Sequence, residues 1–173
     1  MAESMINRIK DKRKFLTSVS NYSVDSWFSF IDTSRLNLDA YYQREYVWEN
    51  KHQQEFLNNI LSGFPLGGIS VAKTLNPQTG RVLYEVVDGK QRITTLKLFF
   101  RDEIAIIIDG KPVKYSELTM PEQNAFSSVP LPMIILENAT EKEKLEYFYE
   151  INFSGVPQSE EHKNKIVALI NTK

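Results

Sequence analysis

The sequence predicts an α+β domain in which helices interrupt a small mixed or antiparallel sheet. Three observations lead there. Phe56, Leu57, Ile60, Leu61 and Phe64 recur at helical spacing. Residues 69–75 and 81–87 are β-type runs joined by Asn76-Pro77-Gln78-Thr79-Gly80, the pattern of a hairpin. No repeat, low-complexity segment or linker divides the 173 residues, so they fit one domain at 22–173 behind a basic arm at 1–21.

Each element follows from local chemistry. Arg8, Lys10, Lys12, Arg13 and Lys14 crowd the arm, which has little apolar periodicity and reads as loosely ordered or as a short helix. Ser23 caps a short helix carrying Trp27, Phe28 and Phe30 on one side. Residues 36–48, with Tyr41, Tyr42, Tyr46 and Trp48, are expected to be extended. Asn50 to Gln53 has capping-box spacing and starts a helix over 51–63, ended by Gly63 and Pro65.

The second half reads the same way. Ile93, Leu96, Leu98, Phe99 and Phe100 support a helix to about Arg101. Residues 104–108 form a buried strand, and Asp109-Gly110 is a hairpin turn into 112–115. A helical or irregular piece at 116–129 precedes a strand at 131–136. Thr140 and Glu143 form a second capping box for a helix to Asn152, Ser154-Gly155-Val156-Pro157 breaks it, and Ser159 caps a last helix carrying Ile166, Leu169 and Ile170.

Composition narrows the function classes. Lys+Arg 21 against Asp+Glu 22 gives a net charge of -1, so no global basic field drives nucleic-acid binding, and any such contact needs a local patch. With no cysteine, thiolate nucleophiles, zinc-thiolate sites and disulfides are excluded. No apolar run approaches the about 18 residues of a membrane helix. The start carries no signal-peptide pattern, so the expected compartment is the cytoplasm.

Chemistry concentrates in three clusters, each at the end of an expected element. The most informative is Asp88-Gly89-Lys90-Gln91-Arg92, a polar turn between a strand and a helix start. Backbone N–H groups at a helix N-terminus favour anions, and an Arg fork suits phosphate. There Asp88 would position a metal or water, Gly89 admits close backbone approach, Lys90, Gln91 and Arg92 offer donors, and Thr94 and Thr95 add hydroxyls. The turn lacks the Gly-x4-Gly-Lys-Ser/Thr spacing of a P-loop.

The second cluster is Tyr42-Gln43-Arg44 with Tyr46 and Trp48. Either Arg44 pairs with phosphate while Tyr42 or Trp48 stacks on a base, or the aromatics are core residues and Arg44 is a solvated charge. The third, Asn152-Phe153-Ser154-Gly155, reads as a helix end or as a ribose or phosphate contact through Asn152. His52 and His162 have no partner at metal-ligand spacing, and Glu141, Glu143, Glu160 and Glu161 sit where acids favour helix N-termini.

Four motifs in order, Tyr42-Gln43-Arg44-Glu45-Tyr46-Val47-Trp48, Gly63-Phe64-Pro65-Leu66-Gly67, Asp88-Gly89-Lys90-Gln91-Arg92-Ile93-Thr94-Thr95-Leu96 and Ile151-Asn152-Phe153-Ser154-Gly155, resemble the N-terminal domain of GmrSD-type restriction enzymes. That family is ParB/sulfiredoxin-like and carries an Asp-Gly-Gln-Gln-Arg signature. The resemblance spans about residues 22–171. It implies a nucleotide-binding α+β fold in which the signature turn handles NTP and supports hydrolysis, often with a divalent metal such as Mg²⁺. Relatives act in defence against phage and modified DNA, where this domain regulates a C-terminal HNH nuclease.

On that resemblance Asp88, Gly89, Gln91 and Arg92 match the signature, and Tyr42, Gln43 and Arg44 the upstream motif. Arg44 and Arg92 are expected to bind phosphates, Asp88 to hold a metal or orient water, and Gln91 to position the nucleotide or nucleophile. Trp48, Gly89, Lys90, Thr94 and Asn152 complete the expected nucleotide site. Lys90 replaces the first Gln of the signature, adding a charge that strengthens phosphate binding or disturbs positioning of water. A chain ending at Lys173 is expected to lack the nuclease half. Two other readings stand beside an NTPase: a binding module for DNA or a partner protein without catalysis, and a ParB-like DNA nuclease. Base preference and oligomeric state stay open.

Overall fold

The computed structural model describes residues 12–76, 78–153 and 160–172. Five strands make a mixed sheet in the order β1-β7-β3-β4-β2. These are β1 (Thr17–Ser20), β2 (Leu36–Asn37), β3 (Ile69–Leu75), β4 (Val82–Asp88) and β7 (Met133–Leu136). The central hairpin β3/β4 is antiparallel, while β7 runs parallel to β3 and β2 parallel to β4. A separate ribbon pairs β5 (Ile106–Ile108) with β6 (Lys111–Val113). The helices are α1 (Val24–Asp32), α2 (Asn50–Leu61), α3 (Lys90–Phe100), α4 (Met120–Ser127), α5 (Glu141–Phe153) and α6 (Glu160–Asn171).

Alternation along the hairpin builds two cores, because successive strand side chains face opposite ways. Val71 and Val86 join the larger core with Trp27, Leu57, Ile93 and Phe99, contributed by α1, α2 and α3. Their neighbours Ala72 and Val87 join the smaller core, with Tyr42, Leu145, Phe148 and Ile166. The sheet therefore lies between α1–α4 on one face and α5–α6 on the other. This is the expected α+β architecture of a small mixed sheet with surrounding helices.

Several local expectations change. Only Leu36–Asn37 of the 36–48 stretch is strand. Beyond it the chain turns, with the Gln43 N–H bonded to the Ala40 carbonyl at 2.9 Å, and the aromatics that suggested a strand serve as separate anchors. The arm contributes β1, an edge strand paired with β7 through its backbone although its side chains are largely exposed, which is why apolar periodicity gave no sign of it. The Asn50 capping box does not form. Glu49 is the N-cap without a side-chain bond, and Gln53 instead reaches Tyr46 Oη at 3.0 Å and the Trp48 carbonyl at 3.2 Å. The 104–108 strand shortens to β5, where Ile106 is buried but Ile107 is 43% exposed.

Other turn chemistry is as expected. Asp109 and Gly110 both take positive φ, 50° and 76°, as a two-residue hairpin turn requires. Thr140 and Glu143 exchange cap bonds at the start of α5. The break at 154–157 and the Ser159 cap lie outside the described residues. Among the described residues no helix is long and apolar enough to cross a membrane.

Candidate functional site

The site begins where β4 ends. Gly89 joins β4 to α3 with φ 102°, a left-handed conformation that favours glycine. A Cβ there would also collide with Ile69 Cδ1 and lie 3.2 Å from an Arg92 terminal nitrogen. Gly89 provides no side-chain cap, and the first backbone bond into the turn runs from the Ile93 N–H to the Gly89 carbonyl, 3.0 Å. The N–H groups of the first helical turn thus carry their partial positive charge toward the space in front of it.

Side chains bind two loops to this turn. Gln43 donates its amide to the Val86 carbonyl and, at 3.1 Å, to the Val87 carbonyl at the end of β4. Gln91 accepts the Val47 N–H at 2.9 Å and donates to the Glu45 carbonyl at 3.0 Å. Tyr46 Oη lies 2.8 Å from Thr95 Oγ1. Arg92 clamps the other loop: Nη1 donates to the Leu66 carbonyl at 2.8 Å, and Nη2 to the Gly68 carbonyl at 2.9 Å and to Asp88 Oδ2 at 3.0 Å. Burial lowers the Arg92 pKa, and the neighbouring Asp88 carboxylate opposes that shift.

The result is a cleft of about 170 Å³. Gln43, Arg44 and Trp48 line it from the 38–49 loop, Asp88 to Arg92 from the turn, and Phe148 and Asn152 from α5. All three sequence clusters therefore meet in one place. Arg44 is exposed and has no ion pair or side-chain hydrogen bond among the described residues. The Lys90 side chain is only 10% exposed, and among the described residues its ammonium has one ionic neighbour, Asp39 Oδ1 at 3.7 Å. Of the three described cations lining the cleft, these are the two that are not clamped by backbone carbonyls.

Other expected residues sit differently. Tyr42 does not line the cleft. It is fully buried in the smaller core, donates to Glu85 Oε1 at 2.8 Å, and has its pKa raised by burial and then by the Glu85 charge. Its ring is unavailable to a base. Thr94 is also absent from the lining, while Thr95 turns inward to the Gln91 carbonyl at 2.9 Å. Trp48 is half-buried, held between His52, stacked at 6.3 Å, and Phe56 at 5.6 Å. Asn152 donates to the Phe148 carbonyl at 2.9 Å and lines the cleft.

Asp88 is a lone carboxylate here, and the described residues contain no group of three His, Cys, Asp or Glu able to hold a metal. That donor set does not make a protein cage. One carboxylate leaves a hard divalent cation to take its other ligands from outside the protein.

One supporting group escaped sequence reasoning. Lys144, 4% exposed, forms ion pairs with both Glu85 oxygens at 3.0 and 3.1 Å and with Glu141, tying α5 to β4. Its pKa is pulled down by burial and, more strongly overall, raised by those carboxylates. The available signal was Glu85, a charge inside an apolar strand. His162, on α6, has its pKa lowered by burial and then by Lys165 and Arg44, which places Arg44 within electrostatic reach of α6.

No curated protein matches the chain. The family model described as GmrSD restriction endonuclease, N-terminal domain, matches residues 24–167, a span that takes in every residue lining the cleft. The chain belongs to the GmrSD restriction endonuclease N-terminal domain family.

Proposed function

We propose that the cleft binds a nucleoside triphosphate and that the domain uses it to regulate DNA restriction in phage defence, with NTP hydrolysis as the associated reaction. One observation carries this reading: three motifs far apart in sequence converge on a cleft holding Arg44, Lys90 and an uncapped helix N-terminus. Arg44 and Lys90 bind phosphate oxygens, and the first-turn N–H groups of α3 add fixed dipoles. With its NH₂ taken up by the Val86 and Val87 carbonyls, Gln43 has its amide oxygen left to accept from a sugar hydroxyl. Mg²⁺ arriving with the nucleotide would be held by Asp88 and would supply charge neutralisation between phosphate oxygens.

A second reading, binding without turnover, is favoured by the hydrogen bonds already described. Arg92 spends three of its five N–H donors on Leu66, Gly68 and Asp88, and Gln91 uses both ends of its amide on the 45–47 loop. Calorimetric titration with ATP, GTP, CTP and UTP plus Mg²⁺ tests the shared claim, and no heat from any of them removes both readings. Phosphate release then separates them. A rate above background that falls in Arg44→Ala supports the NTPase, whereas background rates in both proteins leave nucleotide binding without turnover.

A further inference from the structure

We propose that Gln91 and Tyr46 are positioning residues, which clasp the 38–49 loop against α3 and so fix Arg44 at the cleft without touching the anion themselves. The inference rests on the nucleotide reading above and deepens it. Anion affinity at Arg44 is then set by groups that make no contact with the ligand.

Gln91 grips the loop twice. Its side-chain amide accepts the Val47 N–H at 2.9 Å and donates to the Glu45 carbonyl at 3.0 Å, so the two bonds flank Tyr46. Its main-chain carbonyl ends a second link. Thr95 Oγ1 donates to that carbonyl at 2.9 Å, which leaves the same oxygen to accept the Tyr46 hydroxyl proton at 2.8 Å, and Tyr46 Oη accepts in turn from Gln53 Nε2 at 3.0 Å. Each proton along this path from α2 through the loop to α3 has one assignment. Thr95 is fully buried, so breaking the path there strands a hydroxyl away from water.

The clasp leaves Arg44 in a stretch without slack. Gln43, just before it, is tied by its amide to the Val86 and Val87 carbonyls, and Glu45, just after it, is tied through its carbonyl to Gln91. The Trp48 carbonyl accepts from Gln53 Nε2 at 3.2 Å. Among residues 43–48, Arg44 is the one that takes part in none of these bonds. Tyr46 does not line the cleft, and Gln91 lines it with an amide engaged at both ends. Ordering a loop on binding subtracts from affinity, whereas a loop already ordered in the folded protein presents its cation at no such cost.

Calorimetric titration of the whole chain with inorganic triphosphate and Mg²⁺, run as double-mutant cycles with Arg44→Ala, tests the proposal. Gln91→Leu and Tyr46→Phe are each expected to weaken triphosphate by about tenfold. Neither weakens it further once Arg44 is alanine, because the clasp acts through that side chain. Tyr46→Phe keeps the ring and removes only the hydroxyl, so it carries the cycle if Gln91→Leu does not fold. With no ligand present, the Val47 N–H is expected to be protected from hydrogen exchange in the wild type and to lose that protection in Gln91→Leu. Equal losses with and without Arg44 would place the Gln91 amide on the anion and overturn the positioning role. Full affinity in both single variants, or an unprotected Val47 N–H in the wild type, overturns the clasp and leaves the nucleotide reading standing. Failure of the wild type to bind triphosphate removes the phosphate cleft, and the positioning role with it.

Discussion

Lys90 Nζ lies 3.7 Å from Asp39 Oδ1, yet the lysine side chain is 10% exposed and the aspartate 92%. A nearly buried ammonium paired at that distance with a solvated carboxylate recovers little of its desolvation cost. Residues kept in such a position are poised to be satisfied by a ligand. Lys90→Gln, which restores the family signature, is therefore expected to leave the unfolding midpoint unchanged or higher while weakening inorganic triphosphate by about tenfold or more, the loss of a charge-assisted bond. Unaltered triphosphate affinity would show that Lys90 faces no anion.

Arg92 is positioned for architecture. Its guanidinium spans the Leu66 and Gly68 carbonyls and the Asp88 carboxylate. Arg92→Ala removes all three partners and is expected to cost about 2–4 kcal/mol in urea unfolding. Arg92→Lys recovers little of it, since one ammonium cannot reproduce a planar fork. Wild-type stability in the alanine variant, with binding lost, would return Arg92 to the role of a phosphate ligand.

The two variants show which parts of the site are legible in sequence. The turn at Asp88 to Arg92 is readable because β4 is an unbroken apolar run, Gly89 needs positive φ, and α3 carries a helical apolar pattern. Those are local properties. The roles of Arg92, Gln91 and Gln43 depend on carbonyls 24 to 46 residues away in sequence, and carbonyls carry no residue-type signature. The 38–49 loop misled for a related reason: Tyr42, Tyr46 and Trp48 are strand-favouring types, but each is held by a different element, Glu85, Thr95 and α2. β1 was invisible because an edge strand with exposed side chains is specified by its partner's backbone.

The Lys144–Glu85 pair fixes α5, and with it Phe148 and Asn152, against β4. Lys144→Met leaves Glu85, whose side chain is 16% exposed, with the Tyr42 hydroxyl as its remaining partner. The expected cost is about 3 kcal/mol, because the unpaired carboxylate stays in a low-dielectric setting. Adding Glu85→Gln removes that charge and restores most of the loss. Additive effects of the two substitutions would show that the ions do not act as a pair.

Acid should weaken the start of α5 through Glu143. Its carboxylate accepts the Thr140 backbone N–H and hydroxyl, both at 2.8 Å, and those bonds, the backbone one first, hold its pKa below the ordinary value of 4.5. A group whose pKa is lower folded than unfolded binds fewer protons when folded, so its stabilisation is complete above 4.5 and drains away as pH falls below it. The Glu143 side-chain resonance is expected to titrate below the usual carboxylate range. Thr140→Ala removes the hydroxyl, moves that titration upward and reduces the fall in melting temperature on acidification. Glu122 makes the same bonds to Thr119, at 2.7 and 2.6 Å, so it is an internal control whose titration Thr140→Ala leaves in place. An ordinary titration of Glu143 in the wild type would mean that the capping box does not persist in solution.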